Sequence, residues 1–377
     1  MLLKPEDFIQ ESLSVYIHFP FCKLKCLYCD FYSNVFPYTD YVRYLIKEIE
    51  LYYNLFGSLK VNTIYIGGGT PSLISLKDLS LLFDSIKKFF DTSGCKEITI
   101  EVNPESFNKQ SALFYKEIGI NRISIGAQSF DDIVLKKIGR IADSKKNIEA
   151  IELAKSIFTN VNIDIIYGIP GQDIKKEVSW IRSFLPDHVS AYCLTISKGT
   201  PIYKLRKSFK LPDGMLNYLF CYLHKTLKSM GYLHYEISNY ALPGKESLHN
   251  KNYWDLGFYL GLGAGASGYI AKDRKYRYVN HRLKNYKKSI DNGLLPIKYK
   301  EFLGHKEILT ENVMLGLRTS KGIKIDVFDN PKKSLLYEKI RDFVDKKYVK
   351  IDNDYLLPTL KGWCVIDKIV LDLISFI

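Results

Sequence analysis

The 377-residue sequence lacks the marks of several protein classes. No stretch approaches the ~20 consecutive apolar residues that a membrane-spanning helix needs. The first ten residues, MLLKPEDFIQ, carry two acidic side chains and no apolar core of signal-peptide length. There is no internal repeat of fixed period and no low-complexity tract. With 46% hydrophobic residues, the chain is expected to be a soluble globular protein of the cytoplasm.

Cysteine is scarce and unevenly placed. Of the seven cysteines, Cys22, Cys26 and Cys29 fall within eight residues, and the others are isolated in the sequence. A disulfide framework spreads its cysteines more evenly, whereas tight clustering in a reducing compartment indicates metal or redox chemistry. We interpret the four scattered cysteines as core or loop residues. They are Cys95, Cys193, Cys221 and Cys364.

Positive charge is in excess, with a formal net charge of +13. Most of the excess is lysine spread along the chain, which is typical of a solvated basic surface. The densest run covers residues 272–288, KDRKYRYVNHRLKNYKK, where tyrosines are interleaved. Such a run fits RNA phosphates, the carboxylates of a smaller acidic ligand, or plain solvent. No RNA-binding module accompanies it, so no nucleic-acid partner is expected.

Short β-branched and aromatic runs recur along the first half of the chain. Segments of helical period lie between them, the first beginning near Thr39 or Asp40 as its cap, the second with Ser75 and Asp78 at capping-box spacing. Near-continuous apolar strands predict a parallel sheet buried on both faces. The predicted strands are 14–19, 62–67, 97–102, 122–127, 161–168 and 188–194.

Six strand–helix units are too few for a closed eight-stranded barrel, so the sequence predicts an α/β fold with a partial (β/α)6 TIM-like barrel. We assign residues 1–205 to this barrel. Residues 206–300 form an extension that begins with a long helix over 213–232 and contains a glycine-rich region at 257–269. Residues 301–377 are predicted to be a small, mostly helical C-terminal domain.

The three clustered cysteines follow the first predicted strand directly, as Cys22-x-x-x-Cys26-x-x-Cys29. Three thiolates can ligate three irons of a [4Fe–4S] cubane and leave the fourth iron for an external ligand. The alternative is a structural zinc site, which commonly takes four protein ligands as two separated pairs. No second cysteine pair exists, although His18 on the preceding strand offers a Cys₃His set.

Other polar motifs also fall where predicted strands end, which is where a barrel of this kind places its active site. Glycines let a backbone approach a ligand closely and present its N–H groups. The strand-end motifs are GGGTP at 67–71, EVNP at 101–104, GAQS at 126–129, and Asp164 followed by YGIPG at 167–171.

The cysteine motif after a first strand resembles the radical S-adenosylmethionine (SAM) superfamily. That resemblance implies that SAM chelates the open iron. It also implies that one electron cleaves a carbon–sulfur bond of SAM, which gives a 5′-deoxyadenosyl radical. Tyr28, just before the last cysteine, matches a position that packs near the adenine.

The full set of motifs resembles the oxygen-independent coproporphyrinogen III oxidases and their relatives. The likeness includes YIHFPFC at 16–22, GGGTPS at 67–72, NIDIIYGIPGQ at 162–172 and ENVMLGLRTSKGI at 311–323. It implies that Tyr16, Gly68, Gly69, Thr70 and Glu101 contact SAM. It also implies that Gln128, Arg140 and Asp164 match positions that bind a second SAM in the oxidases.

Two departures separate the sequence from the oxidases. A further cysteine two residues after the last cluster cysteine is absent, because Asp30-Phe31 follows Cys29. The chain instead has HNKNYW at 249–254. Both features resemble the HemW-type haem chaperones, which implies that His249 is a candidate haem ligand. Tyr253 and Trp254 then offer aromatic surface to the macrocycle, and the run 272–288 offers cations to the propionates.

The resemblance therefore implies a [4Fe–4S] cluster, SAM and haem as cargo, with an electron donor and a haem-acceptor protein as partners. The second hypothesis is a coproporphyrinogen III oxidase that decarboxylates two propionates. The third is a radical SAM enzyme that modifies tRNA, which the net charge alone suggests.

Overall fold

The computed structural model describes residues 12–271, 275–328 and 333–377. Over the first half of the chain, strands alternate with helices as predicted. The strands are β1 (Leu13–Phe19), β2 (Leu59–Gly68), β3 (Phe90–Asp91), β4 (Glu97–Val102), β5 (Arg122–Gln128), β6 (Val161–Tyr167) and β7 (His188–Cys193). The helices are α1 (Tyr41–Phe56), α2 (Leu76–Phe89), α3 (Lys109–Glu117), α4 (Asp132–Lys137), α5 (Ser144–Ile157) and α6 (Ile174–Phe184).

Six of these strands form a parallel array in chain order, β1-β2-β4-β5-β6-β7. The two-residue β3 pairs with the start of β2 outside this array. Parallel neighbours in chain order need a helical crossover each, which α1 to α6 supply. This confirms the predicted partial (β/α)6 barrel, whose strand C-termini meet at one edge.

The two faces of the sheet differ in polarity, which the sequence analysis did not predict. On the helix-covered face, apolar side chains such as Val15, Ile17 and Ile163 are fully buried. The opposite face is also buried, but it is polar, as Ser14 and Asn162 illustrate. The predicted burial of both faces is therefore confirmed, but the inner face is polar, because it encloses a hydrogen-bonded interior rather than packed aliphatic layers.

Both predicted cap positions are confirmed, but only one of the two side chains bonds to the helix backbone. Ser75 accepts from the backbone N–H of Asp78 at 3.1 Å, which caps α2. At α1, Asp40 holds the cap position but its side chain caps no backbone group. The Asp40 carboxylate instead forms an ion pair with Lys287, and Thr39 donates to it at 3.1 Å.

After β7 the chain returns to both edges of the same sheet. The strands are β8 (Leu233–Glu236), β9 (Asn239–Ala241), β10 (Tyr259–Leu262), β11 (Ser267–Ala271), β12 (Lys275–Asn280) and β13 (Ile297–Leu303). The helices are α7 (Pro201–Lys204), α8 (Arg206–Phe209), α9 (Asp213–Ser229), α10 (Leu248–Trp254) and α11 (Leu283–Asp291). The strand order is β13-β12-β11-β10 beside β1, and β9-β8 beside β7. The glycine-rich region thus contains two strands, one of which, β10, pairs in parallel with β1.

The last part of the chain combines helices with a small antiparallel sheet of order β14-β16-β15. The Trp363 indole donates to Leu317 O at 3.1 Å and joins the final helices to the rest of this part. Division of the chain at 205 and 300 stays a prediction. The elements are α12 (His305–Gly316), β14 (Ile323–Lys324), α13 (Lys333–Asp345), β15 (Val349–Asp352), β16 (Tyr355–Pro358), α14 (Leu360–Trp363) and α15 (Ile366–Ile374). In the described ranges, no helix is long and apolar enough to cross a membrane.

Candidate functional site

The loop that carries the three cysteines joins β1 to α1 and borders a cavity of about 420 Å³ at the strand C-termini. Cys22, Cys26 and Cys29 all line this cavity. The loop is pinned from both sides at Leu27, whose N–H donates to Ile138 O at 3.1 Å and whose carbonyl accepts from the Ile202 N–H at 2.9 Å. The three thiols are thus held against one space by two separate parts of the fold.

His18, the fourth ligand considered for a zinc site, is engaged elsewhere. In the ranges described above, no group of three or more His, Cys, Asp or Glu side chains is placed to hold one metal ion. His18 does not complete the cysteine set, because its Nδ1 bonds the Tyr16 hydroxyl at 2.9 Å and its Nε2 bonds Tyr32 O at 2.9 Å. A cubane makes a different demand, since each thiolate binds its own iron. Three cysteines around one cavity fit that demand.

Positive charge accompanies the thiols. Arg140 Nη1 donates to Cys26 Sγ at 3.6 Å. Burial raises the pKa of Cys29, and the nearby Cys26 and Cys22 add to the rise, whereas the Phe31 backbone and Lys25 oppose it. A bound metal would oppose this rise in the pKa, because metal ligation requires the thiolate.

The glycine motif at 67–71 packs directly against the cysteine loop. Gly69 N–H donates to Phe19 O and Thr70 N–H donates to Phe21 O, each at 2.8 Å. A Cβ on Gly69 would lie 2.6 Å from Phe21 O, so only glycine fits there. The expectation that these N–H groups face a ligand was wrong, because the N–H groups of 68–70 are bonded within the protein. The glycines instead allow the close approach of two backbones.

Glu101 stands at the end of β4 with both carboxylate oxygens engaged. It accepts from the Tyr65 hydroxyl at 2.8 Å and from Gly68 N–H at 3.1 Å. Burial raises the pKa of Glu101 to about 7, and the nearby Asp164 contributes to the rise. A carboxyl group with a pKa near 7 beside the cavity can accept hydrogen bonds from a cationic or hydroxyl-bearing ligand.

Arg140 links two strand ends around the cavity. Its Nη2 donates to Asn103 Oδ1 at 3.1 Å and to Gly126 O at 2.7 Å. Its Nε is buried and has no hydrogen-bond partner in the described part of the chain. Gln128, at the end of β5, has a left-handed backbone with φ of 68°. Strain of this kind recurs at ligand sites.

Asp164 completes the cavity wall from β6. Its Oδ1 accepts from Asn162 Nδ2 at 2.8 Å and its Oδ2 accepts from Ser124 Oγ at 3.2 Å. Burial raises the pKa of Asp164 despite these bonds. Of the SAM residues predicted by resemblance, eight therefore line one cavity with the cysteines; their binding roles stay predictions. They are Tyr28, Gly68, Gly69, Thr70, Glu101, Gln128, Arg140 and Asp164.

Tyr16 lies apart from this set and faces a second cavity of about 450 Å³ between β1, β10, β11 and α12. Tyr253 also lines this cavity, together with Tyr259 and Tyr269. The hydroxyl of Tyr269 is buried without a hydrogen-bond partner in the described ranges. Phe31, 65% exposed, lines both cavities. An aromatic wall with few polar groups is suited to a flat apolar ligand.

His249 is buried at the opposite end of the barrel, 1% exposed. Its Nδ1 bonds Thr63 Oγ1 at 2.7 Å, and its Nε2 bonds the Tyr253 hydroxyl at 2.7 Å. Because the Thr63 hydroxyl donates to Ser14, it accepts from Nδ1–H, which leaves Nε2 as the acceptor. Burial lowers the pKa of His249 to about 3, and Arg122 adds to the effect, so the ring is neutral.

The helix that carries His249 is held in place by Glu97, a residue that the sequence interpretation missed. Its carboxylate accepts from the N–H groups of Leu248 and His249 at 2.9 and 3.0 Å, and from Ser247 Oγ at 3.2 Å. Tyr65 and the buried Arg122 were missed as well. The available signal was the polar residue at every second position of otherwise apolar strands.

The basic run at 272–288 is divided among different surroundings, and residues 272–274 lie outside the described ranges. Arg277 lines the second cavity and pairs with Glu311 at 2.6 Å. Lys287 pairs with Asp40 at the start of α1. Arg282 lies 5.2 Å from the ring centroid of Tyr32. Of these three cations, Arg277 alone lines the second cavity, and the three have different neighbours.

Comparison with known families places most of the chain. Residues 16–181 match the model of the radical SAM superfamily, and residues 303–365 match the HemN C-terminal domain. Among solved structures, coproporphyrinogen III oxidase (HemN) from Escherichia coli has a TM-score of 0.81 and 21% identity. The alignment covers 99% of this chain and 92% of that one. At this identity the likeness supports the fold alone.

Curated relatives align over nearly the full length. "Heme chaperone HemW" of Buchnera aphidicola subsp. Schizaphis graminum is 37% identical over 363 residues, which cover 93% of this chain and 95% of that protein. The protein of the same name in Lactococcus lactis is 35% identical, and the alignment covers 98% of this chain and 100% of that protein. The protein of the same name in Bacillus subtilis is 33% identical and covers 82% and 84%.

Proposed function

This chain belongs to the HemW type of radical SAM haem chaperones, relatives of the oxygen-independent coproporphyrinogen III oxidases, and from that premise we propose its activity. The protein binds a [4Fe–4S] cluster, SAM and haem, and transfers the haem to an acceptor protein in the cytoplasm. The observation that carries this proposal is the presence of two adjoining cavities, one bordered by the three cysteines and one by Tyr253 of the HNKNYW segment.

The residues of the first cavity fit a cluster and SAM. Cys22, Cys26 and Cys29 would ligate three irons, and the fourth would bind the amino and carboxylate groups of SAM. Glu101 would accept hydrogen bonds from the bound SAM. Arg140 would use its contact with Cys26 to hold negative charge on the cluster. A cluster held by these residues would supply the single electron that SAM chemistry requires.

The second cavity fits a flat macrocycle. Its tyrosines would pack against the porphyrin faces. Arg277 would receive a propionate together with the hydroxyl of Tyr269, which is buried without a hydrogen-bond partner among the described residues. Nε2 of His249 carries the lone pair that an iron needs, and it is covered by Tyr253, which lines the cavity. Haem ligation by His249 would therefore require the Tyr253 ring to swing away from Nε2.

The oxidase alternative lacks one feature at the same border. The position two residues after Cys29, where the oxidases were expected to have a further cysteine, is Phe31. Its exposed ring lines both cavities, so an apolar surface replaces a thiol between them. This substitution favours a protein that holds a porphyrin over one that decarboxylates it.

Haemin titration tests the proposal. The protein is prepared anaerobically with its cluster and titrated with haemin, with and without SAM, while the Soret band is recorded. We expect saturable binding by the wild type, weaker binding with an altered Soret maximum in His249→Ala, and wild-type binding in the exposed control His305→Ala. Circular dichroism and iron content establish that each variant is folded.

Two outcomes would contradict the proposal. Absence of saturable haemin binding by folded, cluster-loaded protein would remove the chaperone activity. Conversion of coproporphyrinogen III to protoporphyrinogen IX, with SAM and a reductant, would make the protein an oxidase. Unchanged binding and an unchanged Soret maximum in His249→Ala would remove His249 from the site and leave the cavity as the binding element.

A further inference from the structure

A basic surface lies beside the cysteine loop and has no role in the account so far. From Thr195 to Pro212 the chain has five basic residues and no acidic one. Four of these lie on α7, on α8 or directly after α8. Lys137, at the end of α4, is their neighbour, because its Nζ lies 5.4 Å from the ring centroid of Phe209 in α8. The α7–α8 basic surface consists of Lys137, Lys204, Arg206, Lys207 and Lys210.

The charges of this surface are exposed and carry no counter-charge. None of the five side chains takes part in an ion pair within the described ranges. Lys137 donates to a neutral carbonyl, Pro170 O, at 2.7 Å. Arg206 lies over the ring of Tyr203. Because Asp213 is the single acid beside the groove that Arg206, Lys207 and Lys210 line, the local field stays positive.

The same surface is built onto the cysteine loop. The N–H of Ile202, in α7, donates to Leu27 O, and Leu27 stands between Cys26 and Cys29. The groove beside α8, about 580 Å³ in volume, shares Leu194 and Thr195 with the cavity that the cysteines border. A protein docked on this groove would therefore lie against residues that also line the cavity of the cysteines.

We propose that the α7–α8 basic surface docks an acidic one-electron carrier protein that reduces the cluster. In this step the reduced carrier loses one electron and the cluster gains it, with no bond formed or broken. The inference rests on the proposed function in one respect, that the three cysteines hold an iron–sulfur cluster. Electron-transfer partners form small, weak and strongly charged interfaces, which fits a compact patch of five cations.

RNA and anionic membranes are the competing partners for a basic surface. Single-stranded RNA is commonly held by exposed aromatic side chains that stack on the bases. Here Phe209 is buried, and the Tyr203 ring is covered by the Arg206 guanidinium. The position of the surface against the cluster loop instead favours a redox partner.

The test compares two variants with the same loss of charge. The first carries Lys204→Gln, Arg206→Gln, Lys207→Gln and Lys210→Gln. The control carries Lys60→Gln, Lys87→Gln, Lys88→Gln and Lys96→Gln, all exposed near the strand N-termini at the far end of the barrel. The probe is a purified acidic flavodoxin, with basic cytochrome c as the charge control. Binding is measured at low and high salt, with and without the cluster.

We expect flavodoxin to bind the wild type at low salt, with affinity falling about tenfold or more in the first variant and little in the control. Cluster reduction by reduced flavodoxin, followed by stopped-flow absorbance, should slow by a similar factor. Reduction by dithionite should be the same in all three proteins, because a small reductant needs no docking surface.

Equal flavodoxin binding by the two variants would overturn the inference. So would tighter wild-type binding of RNA or of phosphatidylglycerol vesicles than of flavodoxin, if the first variant loses it. These results differ from a failure of the proposed function, in which dithionite would find no cluster to reduce in any of the proteins.

Discussion

The two ends of the barrel are built from the same strands but in opposite ways. At the C-terminal end of the strands, Glu101, Arg140 and Gln128 face an open cavity, and the buried Arg140 Nε lacks a partner in the described ranges. At the N-terminal end, Glu97, Thr63 and His249 form a closed network of short hydrogen bonds. The open end leaves polar side chains facing a cavity, whereas the closed end stabilises the fold and keeps the HNKNYW histidine out of contact with solvent.

The largest expected effect is on iron content, which should differ between a cysteine substitution at the open end and one near the closed end. In Cys26→Ser, anaerobic reconstitution should leave iron and sulfide near background, against about four irons per chain in the wild type. Cys95→Ser, near the closed end, should keep its full iron content. Elemental analysis and the visible spectrum measure both. A full cluster in Cys26→Ser would show that the cysteine loop is not the metal site.

Glu97→Ala should be the most destabilising change at the closed end. Three donors on Ser247, Leu248 and His249 lose their acceptor in a buried place, which should lower the free energy of unfolding by about 3 kcal/mol. At the open end, Gln128→Ala should change it by less than about 1 kcal/mol, because this side chain faces a cavity. Urea unfolding of the cluster-free chain compares them. Equal losses would remove the distinction between the ends.

Stability at the open end should depend on pH through Glu101. Burial raises its pKa to about 7, above the ordinary value of about 4.3, so the folded chain binds this proton more tightly than the unfolded chain. The stability that this bound proton contributes is fully present below about pH 4 and is lost as the pH rises to about 7. Without cluster or SAM, wild-type stability should fall by up to roughly 3 kcal/mol more than that of Glu101→Gln across this window. An exposed control, Glu117→Gln, should follow the wild type.

The smallest expected effect concerns the hydroxyl that covers His249. Tyr253→Phe removes the hydrogen bond to Nε2 and should lower the free energy of unfolding by about 1 kcal/mol. It should also ease access of haem to the histidine, so haemin should bind faster. Tyr259→Phe, on the wall of the same cavity, is the matched control. Slower haemin binding in Tyr253→Phe would indicate that the hydroxyl assists binding rather than blocking it.

The open end was largely predictable because parallel strands bring their C-termini together. Once the strands near 97–102, 122–127 and 161–168 were recognised from their composition, Glu101, Gln128 and Asp164 had to fall at one edge. The role of the glycines was less predictable. Whether the Gly69 N–H faces a ligand or Phe19 O depends on the path of the cysteine loop, and no local pattern encodes that path.

The closed end was not predictable from local pattern. His249 meets Thr63 across 186 residues of sequence, and Glu97 meets the same helix across about 150. Nothing in the periodicity of 248–254 indicates that this short helix lies under the barrel strands. Tyr16 was placed with the SAM residues by resemblance, yet its side chain faces the second cavity. The cavity that Tyr16 faces is bounded by β10, a strand hidden in the glycine-rich region.

Electron paramagnetic resonance of the dithionite-reduced protein, before and after addition of SAM, tests the central claim most directly. If Cys22, Cys26 and Cys29 hold a cubane with one open iron at the strand ends, the reduced cluster should give a signal whose g-values shift when SAM binds. In Glu101→Gln that shift should require a higher SAM concentration. A reduced cluster whose spectrum does not respond to SAM at any concentration would contradict the account.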